Sequence, residues 1–275
     1  MNDLKLVITP CLKRQESQPE EKMNLETNDR TIPKGTVKLS LRLQTVAGFV
    51  RQGSRIADVG TDHGYVPVYL AQTGRIRSAI AMDVGKGPLE RAREHIEEYE
   101  TRSPGTGCPI EARLSDGLKE LTPEDADTVI IAGMGGELMI RILDQGRHVW
   151  DSVKHWILSP QSEQYKVRAY LEMHGFFIED ETMVQDEGKY YTVMSVVRGT
   201  MEYGRPVWYK YGKILMDRKD NILKEYLEKE KHRVQVIVDS LGREDTGGMT
   251  EGQRKAMSSL RAELDQIKEA QNEMQ

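Results

Sequence analysis

The sequence predicts an α/β fold: a largely parallel sheet ending in an antiparallel hairpin, followed by an antiparallel, coiled-coil-like helical hairpin. Three observations carry this. Short apolar runs alternate with amphipathic stretches from about residue 39 to 199. The rhythm then changes to two consecutive strand-like runs joined only by QDEGK. From about residue 206 to 275 apolar residues recur at helical spacing.

The strand-like runs are Arg55–Val59, Ala79–Met82, Ile110–Leu114, Thr128–Ala132 and His155–Leu158. Amphipathic stretches Tyr65–Gln72 and Leu89–Tyr99 separate the first three; Glu137–Asp144 and Gln164–His174 follow the fourth and fifth. Such alternation suits parallel strands joined by right-handed helical crossovers. Phe176–Val184 and Tyr190–Arg198 are too close for a crossover and pair as a hairpin. Leu223, Leu227, Val234, Val238 and Leu241, then Met257, Leu260, Leu264 and Ile267 after the break GREDTGG, predict two packed helices. Residues 1–38, polar and punctuated by Pro10, Pro19 and Pro33, read as a poorly ordered extension. Residues 39–200 then form the sheet domain and 206–275 the helical-hairpin domain.

A length of 275 residues suits about two domains. With three Phe and three Trp, the core must rest on Leu, Ile, Val and Met. The net charge of −5 gives no global sign of a nucleic-acid partner. Locally the balance reverses: residues 205–235 hold nine Lys/Arg against five Asp/Glu, with Trp208, Tyr209 and Tyr211 interleaved. That stretch suits either a phosphate backbone or an ordinary solvated helix face. Two cysteines, Cys11 and Cys108, and no CxxC pair give neither a disulfide framework nor a metal site. No apolar run approaches the roughly 20 residues that span a bilayer. The expectation is a cytoplasmic protein without membrane or metal, with a monomer favoured.

The strongest local signal is Arg55-Ile-Ala-Asp-Val-Gly-Thr-Asp-His-Gly64, a strand delivering Asp58, Gly60 and Gly64 to a helix start. Glycines admit a ligand to the backbone, and the helix offers free N–H groups. A carboxylate at position 58 would repel a pyrophosphate, which disfavours a dinucleotide and a dehydrogenase. It suits a cofactor with an ammonium group and hydroxyls, such as S-adenosylmethionine. Asp83 ends the second strand 19 residues after Gly64, where an acid accepts ribose hydroxyls. Ser115, Asp116 and Gly117 end the third, where Asp116 can meet an adenine amine. Three acids at the ends of three successive strands, with the terminal hairpin, resemble the Rossmann-like class I methyltransferase fold.

The fourth strand runs into Ala132-Gly-Met-Gly-Gly136 and lacks the Asn/Asp-Pro-Pro-aromatic motif of enzymes that methylate an exocyclic amine. The combination of Leu39-Ser-Leu-Arg-Leu43, Thr61-Asp-His-Gly-Tyr-Val-Pro67, Gly85-Lys-Gly-Pro88, Ser115-Asp-Gly-Leu118, the AGMGG turn, Ser159-Pro-Gln161 and Glu187-Gly-Lys-Tyr-Tyr191 resembles the bacterial tRNA (adenine(22)-N(1))-methyltransferases. The resemblance covers roughly residues 39 to 275. Departures are the N-terminal segment, Gly64 in place of a common Ala, and SPQ in place of a common Gln-Pro-Asn.

The resemblance implies S-adenosyl-L-methionine as cofactor, tRNA as partner, and ring nitrogen 1 of adenine as nucleophile. That nitrogen has a free lone pair, so positioning matters more than a general base. The cofactor pocket is expected from Arg42, Asp58, Gly60, Thr61, His63, Gly64, Asp83, Val84, Ser115, Asp116, Gly117, Ala132, Gly133 and Met134. Asp62 and Tyr65 are the catalytic candidates, Tyr65 by stacking on a flipped-out adenine and Asp62 by stabilising charge or orienting the amine. Plainer readings stand beside these: Tyr65 as a first-turn core residue, Asp62 as a helix cap, Arg42 as a solvated charge or a tRNA phosphate contact. Rival functions are a non-catalytic RNA-binding protein on the same fold and a methyltransferase for another RNA or a small molecule.

Overall fold

Runs of consecutive apolar residues, rather than alternating ones, mark strands buried on both faces. In the computed structural model, which describes residues 35–102, 107–243 and 250–275, those runs occupy the middle of a seven-stranded sheet. The expected extension lies almost wholly outside the described residues, as do Cys11 and most of the GREDTGG break.

The chain opens with α1 (Leu41–Gly48), β1 (Ser54–Val59), α2 (Tyr65–Gln72), β2 (Ile76–Asp83), α3 (Lys86–Arg102) and β3 (Ile110–Leu114). It continues through β4 (Thr128–Gly135), α4 (Gly136–Gln145), β5 (His155–Ser162), α5 (Gln164–Met173), β6 (Phe176–Asp186) and β7 (Lys189–Arg198). The strand order is β3-β2-β1-β4-β5-β7-β6. β1 to β5 are parallel, and β7 runs antiparallel to both β5 and β6. The chain leaves β1 in one direction for β2 and β3, then returns for β4 on its other side. That reversal opens a crevice at the carboxyl ends of β1 and β4.

Alternation along the strands feeds two layers. Val59, Met82, Val129, Ile131 and Leu158 pack with Met139, Leu143, Val167 and Leu171 on one face. Ile56, Ala81, Ile130 and Ile157 pack with Val46, Val66, Leu70 and Ile96 on the other. The β6–β7 turn places Glu187 and Gly188 at φ 48° and 76°, the two left-handed residues a tight hairpin demands. Asp186 beside this turn accepts a hydrogen bond from the Arg42 backbone N–H at 3.1 Å, which fixes the start of α1 against the hairpin. The same bond, with Ser40, holds the Asp186 carboxyl below the usual range.

The C-terminal region holds the expected antiparallel helical pair and two short helices before it. It comprises α6 (Pro206–Tyr211), α7 (Lys213–Asp217), α8 (Asn221–Arg243) and α9 (Glu251–Glu273). Gly212 at φ 93° breaks the first pair, and any side chain there would overlap the Glu181 carboxylate. Lys219 at φ 54° turns the chain into α8. α8 and α9 are antiparallel, since Lys219 bonds the Gln275 carbonyl while Arg233, just past the middle of α8, reaches Glu263. Thr250 and Gln253 cap α9 reciprocally.

One buried ion pair ties these helices to the sheet. Arg168 of α5 and Glu181 of β6, each about 1% exposed, meet at 2.9 Å. Arg168 also donates to the Tyr209 carbonyl at 2.8 Å, and Glu181 accepts from the Ile214 N–H at 3.2 Å. Removing one partner strands the other charge in the interior, which typically costs about 3–5 kcal/mol. Arg168→Met is therefore expected to lower the urea midpoint sharply, and the double variant Arg168→Met/Glu181→Leu to lose less than the single one.

Candidate active site at the carboxyl edge of the sheet

β1 ends at Val59, which pairs with Met82, one residue before the end of β2, and with Ile131, four residues before the end of β4. The backbone then turns through Gly60 at φ 72°, and a Cβ there would overlap Met134 Cε. Asp62 and Gly64 also take positive φ, 51° and 69°. The loop therefore folds back over the strand ends only because two of its three left-handed residues lack side chains.

Asp58 lies beneath this loop, 5% exposed, and accepts a hydrogen bond from Thr61 Oγ1 at 2.7 Å. Burial and the nearby Asp83 carboxylate outweigh that bond and push Asp58 up to about 6. Asp83, at the end of β2, accepts from the Gly85 N–H at 2.7 Å. Val84 beside it is exposed. After β3, the buried Ser115 hydroxyl donates to the Gly117 carbonyl at 2.8 Å, and Gly117 sits at φ 64°. Asp116 is exposed and paired with Lys119 at 2.5 Å, which lowers its pKa.

Across the crevice, β4 and β5 run farther than their apolar cores, to Gly135 and Ser162. Ala132 pairs with Ser159, and Met134 with Pro160. Gly133, at φ 81°, faces the Arg42 guanidinium, with Nη1 3.5 Å from where its Cβ would stand and Gln161 Nε2 at 3.8 Å. Arg42 Nη1 is buried and finds no hydrogen-bond partner among the described residues. Its guanidinium lies 5.3 Å from the Tyr191 ring centroid. Arg42 is thus not a solvated helix charge. Among the described residues, a buried carboxylate short of a cation and a buried guanidinium N–H short of an acceptor chemically suit a ligand carrying both ammonium and carboxylate, as the amino-acid end of S-adenosylmethionine does.

The 61–65 loop separates the readings of its residues. Tyr65, the first residue of α2, is 37% exposed while Val66, Pro67, Val68, Leu70 and Ala71 of the same helix are buried. A core role for Tyr65 is excluded. Gly64 occupies the cap of α2 with no side-chain hydrogen bond, so Asp62 is not its cap. Asp62 is exposed and lies 3.5 Å from Arg91. The His63 and Tyr65 rings stack 5.2 Å apart, and a third ring joins them: His95 of α3, 4.9 Å from Tyr65. Sequence reasoning missed His95 and Arg91, since their 26- to 34-residue separation from the loop carries no periodic signal.

The basic stretch is largely neutralised within the fold. Arg205 pairs with Glu269 and Glu273, Lys210 with Glu263, Lys213 with Asp217, Arg218 with Asp180, and Arg233 with Glu230. Lys231 lies 3.9 Å from Glu228. Among the described residues, Lys224 and Lys229 have no carboxylate within 4.0 Å; Lys229 lies over the Tyr190 ring, 5.1 Å from its centroid.

A methyltransferase domain family model matches residues 39–194. Fold, crevice and donor set together define a class I S-adenosylmethionine-dependent methyltransferase. The tRNA (adenine(22)-N(1))-methyltransferase of Bacillus subtilis is 34% identical over 163 residues, 59% of this chain and 66% of that protein. The chain thus aligns with just under two thirds of that relative's length. The crystal structure of the B. subtilis m1A22 tRNA methyltransferase TrmK superposes with a TM-score of 0.72 at 28% identity, covering 85% of this chain and 99% of that one. A Streptococcus pneumoniae protein solved in complex with S-adenosyl-L-methionine gives 0.73 at 30% identity, with the same coverage. The chain belongs to the bacterial tRNA (adenine(22)-N(1))-methyltransferase family.

Because the folded protein holds a proton on Asp58 more tightly than the unfolded chain does, its stability falls as pH rises from about 4 to about 6. Above that window the ionised carboxylate is a standing cost, on the order of 2–3 kcal/mol. Asp58→Asn is expected to raise the melting temperature of the cofactor-free protein at pH 7.5, by about 4–12 °C at roughly 2–4 °C per kcal/mol for a chain of this size. A cationic ligand at Asp58 favours the ionised form, so wild-type cofactor affinity by calorimetry should weaken as pH drops through about 6. The Asn variant should lose that dependence.

Proposed function

We propose that this chain transfers a methyl group from S-adenosyl-L-methionine to ring nitrogen 1 of adenine 22 in tRNA. The observation that carries the reading is the unmatched pair at the crevice, the buried Asp58 carboxylate and the buried Arg42 Nη1. Asp58 takes the cofactor ammonium side and Arg42 its carboxylate. Asp83 takes the ribose hydroxyls, and Ser115, Asp116 and Gly117 border the adenine with Val84 on its open side. Gly60, Thr61, His63, Gly64, Ala132, Gly133 and Met134 shape the passage in which the methyl group lies. The cofactor supplies an electrophilic methyl on a sulfonium.

Nitrogen 1 attacks with its own lone pair, so the protein's task is to hold the base in line and out of its helix. Tyr65, exposed at the head of α2, offers the ring face for stacking. Asp62 is so exposed, and so close to Arg91, that its Coulombic effect on the cationic product is small. Its carboxylate serves instead as an acceptor for the exocyclic amine. The tRNA backbone runs along α8, where Lys224 and Lys229 retain free charge. A tRNA substrate places the reaction in the cytoplasm, and none of the described helices is long and apolar enough to cross a membrane.

Incubation with labelled cofactor and unmodified tRNA transcripts should place the label on adenine 22, and a transcript with guanine there should take none; label elsewhere would sink the reading. Tyr65→Phe is expected to stay within about threefold of wild-type kcat, and Tyr65→Ala to lose about 30-fold or more, a stacking loss of about 2 kcal/mol. Lys224→Ala/Lys229→Ala should weaken tRNA binding and lower the salt slope of log K by about 2, each lysine neutralising one phosphate. Cofactor affinity should not change in that variant.

A further inference from the structure

One face of α3 holds the 61–65 loop residue by residue. Arg91 Nη2 lies 3.5 Å from Asp62 Oδ1. Ala92 packs against Gly64, whose added Cβ would stand 3.3 Å from Ala92 Cβ. His95 Nδ1 lies 2.8 Å from the His63 carbonyl oxygen, and its ring stacks on Tyr65 with planes 27° apart. Positions 91, 92 and 95 share one helix face.

The loop needs this support. Asp62 and Gly64 sit in left-handed backbone, and α2 begins without a side-chain cap. Tyr65 is half-exposed, so burial alone leaves its ring free to reorient. A carbonyl oxygen only accepts, so His95 Nδ1 carries the proton, and that bond orients the imidazole. The oriented imidazole in turn sets the angle of the tyrosine ring lying 4.9 Å away.

We propose that His95 is a positioning residue for methyl transfer: fixed by the His63 carbonyl, it holds the Tyr65 ring at the angle that presents adenine in line with the donor. This rests on the stacking role given to Tyr65. A ring that tilts loses attack geometry without losing the cofactor pocket, so the effect falls on the rate of transfer and not on cofactor binding.

The test uses the full chain, single-turnover methylation of a tRNA transcript, and cofactor affinity by calorimetry. His95→Ala is expected to slow transfer about tenfold with cofactor Kd within twofold of wild type. His95→Phe, which restores a ring, should recover part of that loss; His95→Gln, which keeps a donor but no ring, should recover less. In a Tyr65→Ala background, His95→Ala should change the rate by less than twofold, because it acts through the missing ring. Wild-type transfer in His95→Ala beside an impaired Tyr65→Ala would overturn this inference and leave the stacking reading intact. Wild-type transfer in Tyr65→Ala would overturn both. Additive losses in the double variant, or a cofactor Kd that rises in step with the loss of rate, would assign His95 a purely structural part and overturn the proposal.

Discussion

A carboxylate buried without a cation, at the end of the strand between β2 and β4, sets the terms for the active-site half of the molecule. Among the described residues the Asp58 carboxylate has one hydrogen bond, from Thr61, and a like charge nearby in Asp83. Alone it would take a proton or turn to water. It stays because β1 is fixed between two strands in parallel register and the loop above it is held by Gly60, Gly64 and the face of α3. Under the proposed cofactor site, stability is given up in the free protein for affinity toward a cationic ligand, a common pattern at binding sites. Arg42 is the counterpart of opposite sign, a buried donor aimed at the glycine turn of β4.

The hairpin β6–β7 connects this site with the helical arm. At its tip Asp186 anchors the start of α1, which carries Arg42, and Tyr191 lies beneath the Arg42 guanidinium. Beside it, Tyr190 donates to Glu225 of α8 at 3.0 Å and Lys229 lies over its ring. Midway along the hairpin, Glu181 joins Arg168 and the backbone of α7. The donor-binding end and the arm assigned to tRNA therefore rest on the same two strands. Under the proposed function, the spacing between methyl donor and RNA backbone is then set by these two strands and not by a linker.

Much of the fold was legible because apolar periodicity is a local property. All seven strands and the helices between them follow from it. The ends of β4 and β5 did not: Gly133, Gly135 and Pro160 read as breakers, yet pairing across Met134–Pro160 and Gly135–Ser162 carries both strands outward. Gly212 likewise reads as an ordinary helical residue until Glu181 is seen to fill the space beside it. The local charge excess in residues 205–235 was correctly counted but not its fate, since Glu263, Glu269 and Glu273 lie in a separate helix. At the site, Asp58, Gly60, Asp83 and the AGMGG turn were visible as residue types at strand ends. His95 was not, because a histidine in a charged amphipathic helix has no signature of its own.

By itself the sequence determined the order of elements along the chain and the chemistry that a non-phosphate, cationic cofactor requires. Those depend on side-chain type and spacing within a few residues, which the chain carries wherever it goes. Only the tertiary structure decided which charges remain unpaired among the described residues: Asp58 and Arg42 Nη1 unmatched, Lys224 and Lys229 without acids, Arg168 and Glu181 matched in the core. A charge's effect depends on what lies within a few ångströms and how much water remains, and neither is a property of the residue alone.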